Sequence, residues 1–361
     1  MKESNRLAAS LLAAVQTQDF GATADSDNGG RPVARFPSID LAVAAFPKAG
    51  SPLFANVLFS REHPQGHVAR IDAQAGAVQG LRFVRDQQDA AGNSAAWLVG
   101  ADWQRMTWLP LAGSEQASVR FVAPYPASLL KLMVAVGVCT AVDRGLTTLP
   151  DVQDALELMI VISDNAATDV CVALLHRVGL IGPRVNQLND AFAARGLHSL
   201  QLNQTTARGG WRNPDGSGVG HVHMTAWDTV RLLWLLDVDA PTAPWLPAGT
   251  PPLLSPAMRD HLRGVLTRQQ LDEILSSGSL RGQPGWVPGL PDAPNFAHKT
   301  GTTENFASDA GIVRTARCHY AVAVLTNLGS RYAPTSDVAT TWRLPALGAA
   351  VHAAVEALAG S

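Results

Sequence analysis

Residues 126–143 constrain this chain more than any other stretch. Ser128 and Lys131 head an unbroken apolar run, Leu132-Met133-Val134-Ala135-Val136, whose helical pattern continues to Asp143. A helix that is apolar on all sides has to be buried, so the fold must close around this one and hold the serine at its head rigidly. Ser128 and Lys131 lie three residues apart, on one face and about one turn from each other. That geometry suits a nucleophile and its base. A serine hydroxyl is a weak nucleophile at neutral pH, so a lysine held neutral by burial, or a water-bridged carboxylate, has to take its proton. Backbone N–H groups free at a helix N-terminus can also stabilise an oxyanion. Alone the pair means little, because a serine and a lysine at this spacing arise by chance roughly once in a chain this long.

Two further stretches change the weight. Residues 152–162 read as a helix, capped by Asp151, that delivers Ser163-Asp164-Asn165 to the start of another helix over residues 166–177. Lys299-Thr300-Gly301-Thr302 ends a β-like segment at residues 295–298. Each tripeptide should appear by chance in only about one of twenty such chains. The combination S-x-x-K, S-D-N and K-T-G is the signature of class A β-lactamases and penicillin-binding proteins. The chain resembles that superfamily of active-site serine enzymes, most closely its class A-like branch. Residues 159–168, 254–259, 267–270 and 297–302 carry further likeness, and the resemblance covers roughly residues 95–360.

The resemblance implies an α+β fold of the β-lactamase/transpeptidase kind: an antiparallel sheet flanked by helices, plus an all-helical subdomain. Residues 95–361 would form the hydrolase domain and residues 1–94 an N-terminal extension. Carried over by motif, Ser128 is the nucleophile, Lys131 its base and Ser163 a proton shuttle to the leaving nitrogen. Asn165 binds the substrate amide and the lysine head group, and Asp164 is structural. Lys299 offers charge to a substrate carboxylate, Thr300 and Thr302 offer hydroxyls, and Gly301 lets the substrate backbone approach. The N–H groups of Ser128 and Thr302 would form the oxyanion hole. The implied activity is acyl-enzyme chemistry on a β-lactam or related amide or ester, with no cofactor and no metal. The alternatives are a penicillin-binding-protein-like D-Ala-D-Ala peptidase, an esterase, or a covalent sensor of muropeptides or β-lactams.

The sequence departs from the family twice. Ser163 follows Ser128 by only 35 positions (163 − 128), so the piece that normally bears an aromatic rim of the pocket is missing and the site should be more open there. No glutamate occurs between Glu157 and Glu273, although class A enzymes use one in the omega loop to activate the deacylating water. Residues 197–223 occupy that loop's position. Their one carboxylate, Asp215, sits in an Asn-Pro-Asp-Gly turn context. His221 and His223 share a face of any strand they form and are the other candidate base or metal pair.

Composition narrows the partners. With 47% hydrophobic and 16% charged residues the chain is neither disordered nor membrane-spanning. A formal charge of −2 leaves no electrostatic footprint for nucleic acid or an anionic membrane, so the expected partner is a small molecule or a peptidoglycan peptide. Cys139, Cys171 and Cys318 lie in apolar runs and read as buried free thiols. At the N-terminus, Lys2, Arg6 and apolar residues 7–15 fit either a cleaved signal, which with the resemblance points to the periplasm, or an amphipathic helix with Leu7, Leu11 and Val15 on one stripe, compatible with the cytoplasm. Residues 21–35 read as a linker, and residues 95–99, 105–109 and 119–122 as strands at the sheet edge leading to Ser128. A last helix over residues 336–358 should be broken or kinked at Pro345.

Overall fold

The computed structural model describes residues 2–32, 35–86, 102–211, 221–332 and 341–359. The chain opens with helix α1 (Lys2–Gln16) and a two-residue hairpin, β1 (Ala24–Asp25) and β2 (Arg31–Pro32), before strands β3 (Ile39–Ala45), β4 (Leu53–Phe59) and β5 (His67–Val68). Strands β6 (Leu81–Arg85) and β7 (Val119–Ala123) precede the helical part: α2 (Lys131–Asp143), α3 (Leu149–Val161), α4 (Asn165–Arg177) and α5 (Gln187–Ala193). After the short pair β8 (Gln201–Leu202) and β9 (Val222–His223) come α6 (Ala226–Leu236) and α7 (Pro256–Leu266). Strands β10 (Phe296–Thr302), β11 (Ala307–Arg314) and β12 (His319–Thr326) then lead to α8 (Arg343–Ala359).

Six strands form one antiparallel sheet in the order β10-β11-β12-β3-β4-β5. Its two faces are chemically distinct because side chains alternate along each strand. Leu41, Val43, Val322 and Val324 point to one side, into a core shared with Leu7, Leu11 and Val15 of α1 and Leu347, Val351 and Val355 of α8. Ala42, Ala44, Ala310, Ala321 and Ala323 point to the other, where Trp227 and Trp234 of α6 are buried against the sheet. Alanine on that face leaves room for the indoles at van der Waals contact. Thr225 caps α6 by accepting from Asp228 N–H, and the α6 N-terminus is tied to the sheet because Ala226 N–H donates 2.9 Å to Asp40 Oδ2.

Helix α2 is buried along nearly its whole length, Leu132 to Met133, Val134, Val136 and Val138 all at 0% exposure, between the sheet-side core and α3, α4 and α7. The expected central helix is present, and the helices around it make the all-helical part of an α+β molecule. Among the described residues no helix is long and apolar enough to cross a membrane. The three cysteines are free and buried.

Several expectations need correction. The N-terminal residues are not an extension: β3 sits between β12 and β4, and β3 and β4 supply a third of the main sheet, so its hydrogen bonding spans the anticipated boundary at residue 94. The apolar stripe Leu7, Leu11, Val15 packs inside this core, as an amphipathic helix does. Residues 21–35 are structured in part, with buried Asp25 paired to Arg331. Strand β7 does form, but it pairs in parallel with β6 in a separate two-stranded sheet held by Phe83 and Phe121, rather than at the edge of the main one. Residues 105–109 are not a strand, and residues 95–99 lie outside the described residues. Pro345 is the third residue of α8, within the first turn where a missing N–H breaks no helical bond, so it starts the helix instead of kinking it.

Candidate active site

The turn that carries Ser128 is a single 3-10 turn, Ala127–Leu130, running directly into α2. Ala127 holds φ at 52°, a left-handed value that costs a non-glycine residue on the order of 1–3 kcal/mol and persists only where the surroundings enforce it. Leu129 and Leu130 plug the turn into the core. Buried Ser308, on β11, donates from its hydroxyl to the Pro126 carbonyl. Gly301 on β10 completes the clamp: a Cβ there would stand 2.5 Å from Leu129 N, 2.5 Å from Pro126 O and 2.8 Å from Ser128 N. Only glycine lets the edge strand lie this close to the Ser128 backbone.

Ser163 sits at the α3–α4 junction with φ at 59°, the second strained non-glycine residue of the site. Asp164 pins it by capping α4, its carboxylate accepting 2.6 Å from Ala167 N–H, while its own N–H donates 3.1 Å to the Leu158 carbonyl. The structural role expected for Asp164 is its observed role.

These two turns and β10 bring the lysines together. Lys131, 2% exposed, donates to Ser163 O at 2.5 Å, Ser163 Oγ at 3.1 Å and Asn165 Oδ1 at 2.7 Å. Those three acceptors match the three donors of an ammonium. Lys299, fully buried, donates to Ser163 Oγ at 3.0 Å and to the Thr300 carbonyl at 2.8 Å. Ser163 Oγ therefore accepts from two lysines at once. With both lone pairs engaged, its own proton is directed away from them.

Burial sets the charge state. It lowers Lys131 to about 8, against a partial opposing pull from Asp164 and Asp169. It lowers Lys299 further, to about 7, and repulsion from Lys131 adds to the effect. An ordinary lysine is almost wholly protonated at pH 7, whereas at a value of about 8 roughly a tenth is neutral and basic.

Behind β10 lies a buried group that sequence reasoning missed. His298 is held between Asp309, 2.8 Å from Nδ1, and Asp272, 2.9 Å from Nε2. Burial opposes its charge, but the two carboxylates outweigh that and raise it to about 9, so it is an imidazolium at neutral pH. Asp309 also accepts from Leu275 N–H at 3.1 Å, which ties the segment after α7 to the sheet. Nearby Glu273 is raised, first by burial and then by Asp309, and it lines a cavity of about 210 Å³ with Thr302. Nothing in the spacing of these residues marks them, because their partners come from three separate segments.

Of the eight residues singled out from the sequence, Lys131, Ser163, Asn165 and Lys299 are joined by hydrogen bonds, and Ser128 and Gly301 are in backbone contact. Thr300 is 1% exposed and enters through its carbonyl, whereas Thr302 and Asn165 are exposed. Ile162, at 44% exposure, leaves the Ser163 side open. His221 and His223 are elsewhere: His221 lines a separate cavity of about 490 Å³ with His176 and Arg184, and buried His223 is pushed down to about 3, chiefly by burial. Asp215 lies outside the described residues.

The architecture has known counterparts. A β-lactamase from Sphaerobacter thermophilus DSM 20745 superimposes with a TM-score of 0.50 at 16% identity, covering 95% of each chain. TLA-1 extended-spectrum β-lactamase does so with a TM-score of 0.51 at 14% identity, over 95% of this chain and 98% of its own. PBP-A shares 24% identity over 65% of this chain and 82% of its own, at a TM-score of 0.46. No curated protein matches the sequence. The profile described as the Beta-lactamase enzyme family matches residues 148–344, more than half of the chain and inclusive of the Ser163 and Lys299 motifs. This chain therefore belongs to the β-lactamase enzyme family.

Proposed function

We propose that this protein is a serine hydrolase that opens β-lactams, or related amide and ester carbonyls, through an acyl-enzyme on Ser128, and that it releases the acyl group slowly. The observation that carries the reading is the Ser163 hydroxyl held between two lysines of lowered basicity, 3.1 Å and 3.0 Å away, next to the Ser128 turn.

Chemically, Ser128 Oγ adds to the carbonyl carbon while its proton passes to neutral Lys131. The charge that builds on the carbonyl oxygen is met by the N–H groups of Ser128 and Thr302. Collapse breaks the C–N bond, and the nitrogen takes a proton from Ser163, which is refilled from Lys131. Lys299, with Thr300 and Thr302, favours a substrate carboxylate on the β10 side, and Asn165 binds the substrate amide. Hydrolysis then needs water and a base. The absence of any glutamate between Glu157 and Glu273 favours slow deacylation, since losing a positioned base commonly costs about 10² to 10⁴ in rate. The same absence favours, as the second reading, a penicillin-binding-protein-like peptidase or a covalent sensor.

An intact-mass time course with excess penicillin, run beside Ser128→Ala while free drug is followed, tests this. A lasting adduct on wild type alone, with little drug consumed, is the expected result. Rapid drug loss without a standing adduct would replace slow release by true β-lactamase turnover. Neither adduct nor loss would overturn β-lactam recognition.

A further inference from the structure

On the sheet face away from Ser128, strand β12 and helix α8 bring together a thiol, an imidazole and a carboxylate that the reaction does not use. Cys318, the residue just before the strand, and Tyr320, its second residue, are buried in the same core. His352 and Glu356 are four apart on the helix and share a face. Cys318 Sγ lies 4.0 Å from His352 Nδ1, and His352 Nε2 lies 3.5 Å from Glu356 Oε1. One donor atom from each of the three residues falls within 4.8 Å of the others.

We propose that Cys318, His352 and Glu356 form a site for a divalent transition metal of the zinc type, with solvent as the fourth ligand, clipping α8 to β12. The donor set selects the ion. A thiolate beside an imidazole excludes the oxygen-seeking magnesium and calcium and suits zinc, which accepts sulfur, nitrogen and carboxylate oxygen together. Tetrahedral zinc, with bonds of about 2.0–2.3 Å, needs donor atoms roughly 3.3–3.8 Å apart. One nitrogen of His352 ligates, and since one donor atom from each residue lies within 4.8 Å of the others, the three have to close by up to about an ångström around the ion. Tyr320 Oη, 2.9 Å from His352 Nδ1, holds the ring between the thiol and the carboxylate. Two contacts compete. Thr315 Oγ1 is 3.3 Å from Cys318 Sγ, and Arg317 is 3.7 Å from Glu356 Oε2, but Arg317 is 78% exposed and free to swing away. On binding, the Cys318 thiol proton leaves to solvent and the sulfur bonds the metal, with no change of oxidation state.

Untagged full-length protein, stripped with a chelator and titrated with Co(II), is expected to show the intense near-ultraviolet thiolate-to-cobalt band at one equivalent. Zinc should displace the band and raise the unfolding temperature. Cys318→Ser should abolish the band, and Glu356→Gln, partly exposed and safe for folding, should weaken zinc binding at least tenfold. Cys139→Ser should keep both responses. Absence of the band, its persistence in Cys318→Ser, or unchanged zinc affinity in Glu356→Gln would overturn the proposal, and none of these results depends on penicillin acylation.

Discussion

Ser163 carries the strained φ of 59° and receives both lysines, so its removal should act on chemistry more than on folding. Ser163→Ala is expected to slow penicillin acylation by about 10² to 10⁴, read as the rate of adduct formation by mass, with thermal stability nearly unchanged. The lysines set the pH profile. Lys131 works as a base only when neutral, and its value is lowered to about 8. The acylation rate should therefore rise about tenfold per pH unit below 8 and level off above it. A flat profile from pH 6 to 9 would remove Lys131 from that role. At the same scale, His298 yields a stability prediction. Its folded-state value of about 9 exceeds the unfolded 6.5, so the imidazolium contributes stability that is complete below about 6.5 and lost as pH rises through about 9. The depressed lysines act with opposite sign over part of that range, because folding costs less once they are neutral. The clean measurement is the difference in unfolding temperature between wild type and His298→Asn, which should be largest near pH 6 and shrink toward pH 10.

At the scale of elements, the edge strand β10 and the Ser128 turn are one unit, because Gly301 admits the turn to within contact of the strand. Gly301→Ala should push the Ser128 turn away from β10, because the added Cβ would meet Pro126 O, Ser128 N and Leu129 N together. The expected result is loss of most acylation in a protein whose circular dichroism is still native, with a stability cost of about 1–3 kcal/mol for the added methyl group. Retained acylation would mean that the strand and turn separate freely. Helix α2 was legible from its residues alone, since an apolar helix headed by Ser128 and Lys131 has nowhere to go but the centre. So was a local structural role for Asp164, which caps α4, whereas the expected cap at Asp151 is corrected, because α3 starts earlier, with Thr148 as its N-cap and Asp151 inside the first turn. The Asp272–His298–Asp309 cluster was illegible for the converse reason: its members meet only through the pairing of β10 with β11 and the return of the segment after α7.

For the whole molecule, the missing knowledge was pairing. Residues 39–45 are an almost wholly apolar stretch, buried on both faces as β3, and such a stretch carries no address for its partner, which is β12, with Ala42 opposite Ala323. Motif resemblance began near residue 95 and so placed the first part of the chain outside a fold whose sheet it helps to build. Deleting residues 1–94 should therefore abolish cooperative unfolding and yield aggregating protein, because β12 would lose its neighbour and expose an apolar edge. A soluble, cooperatively melting fragment would restore the independent-extension reading. The same threading orders events during synthesis. Strand β3 leaves the ribosome early, but the strand that must lie beside it follows about 280 residues later (323 − 42). At roughly 5–20 residues per second that is a wait of tens of seconds. Throughout it, the nascent β3–β4 hairpin presents its flank to whatever chaperone is at hand, and only release of the C-terminal part lets the sheet close.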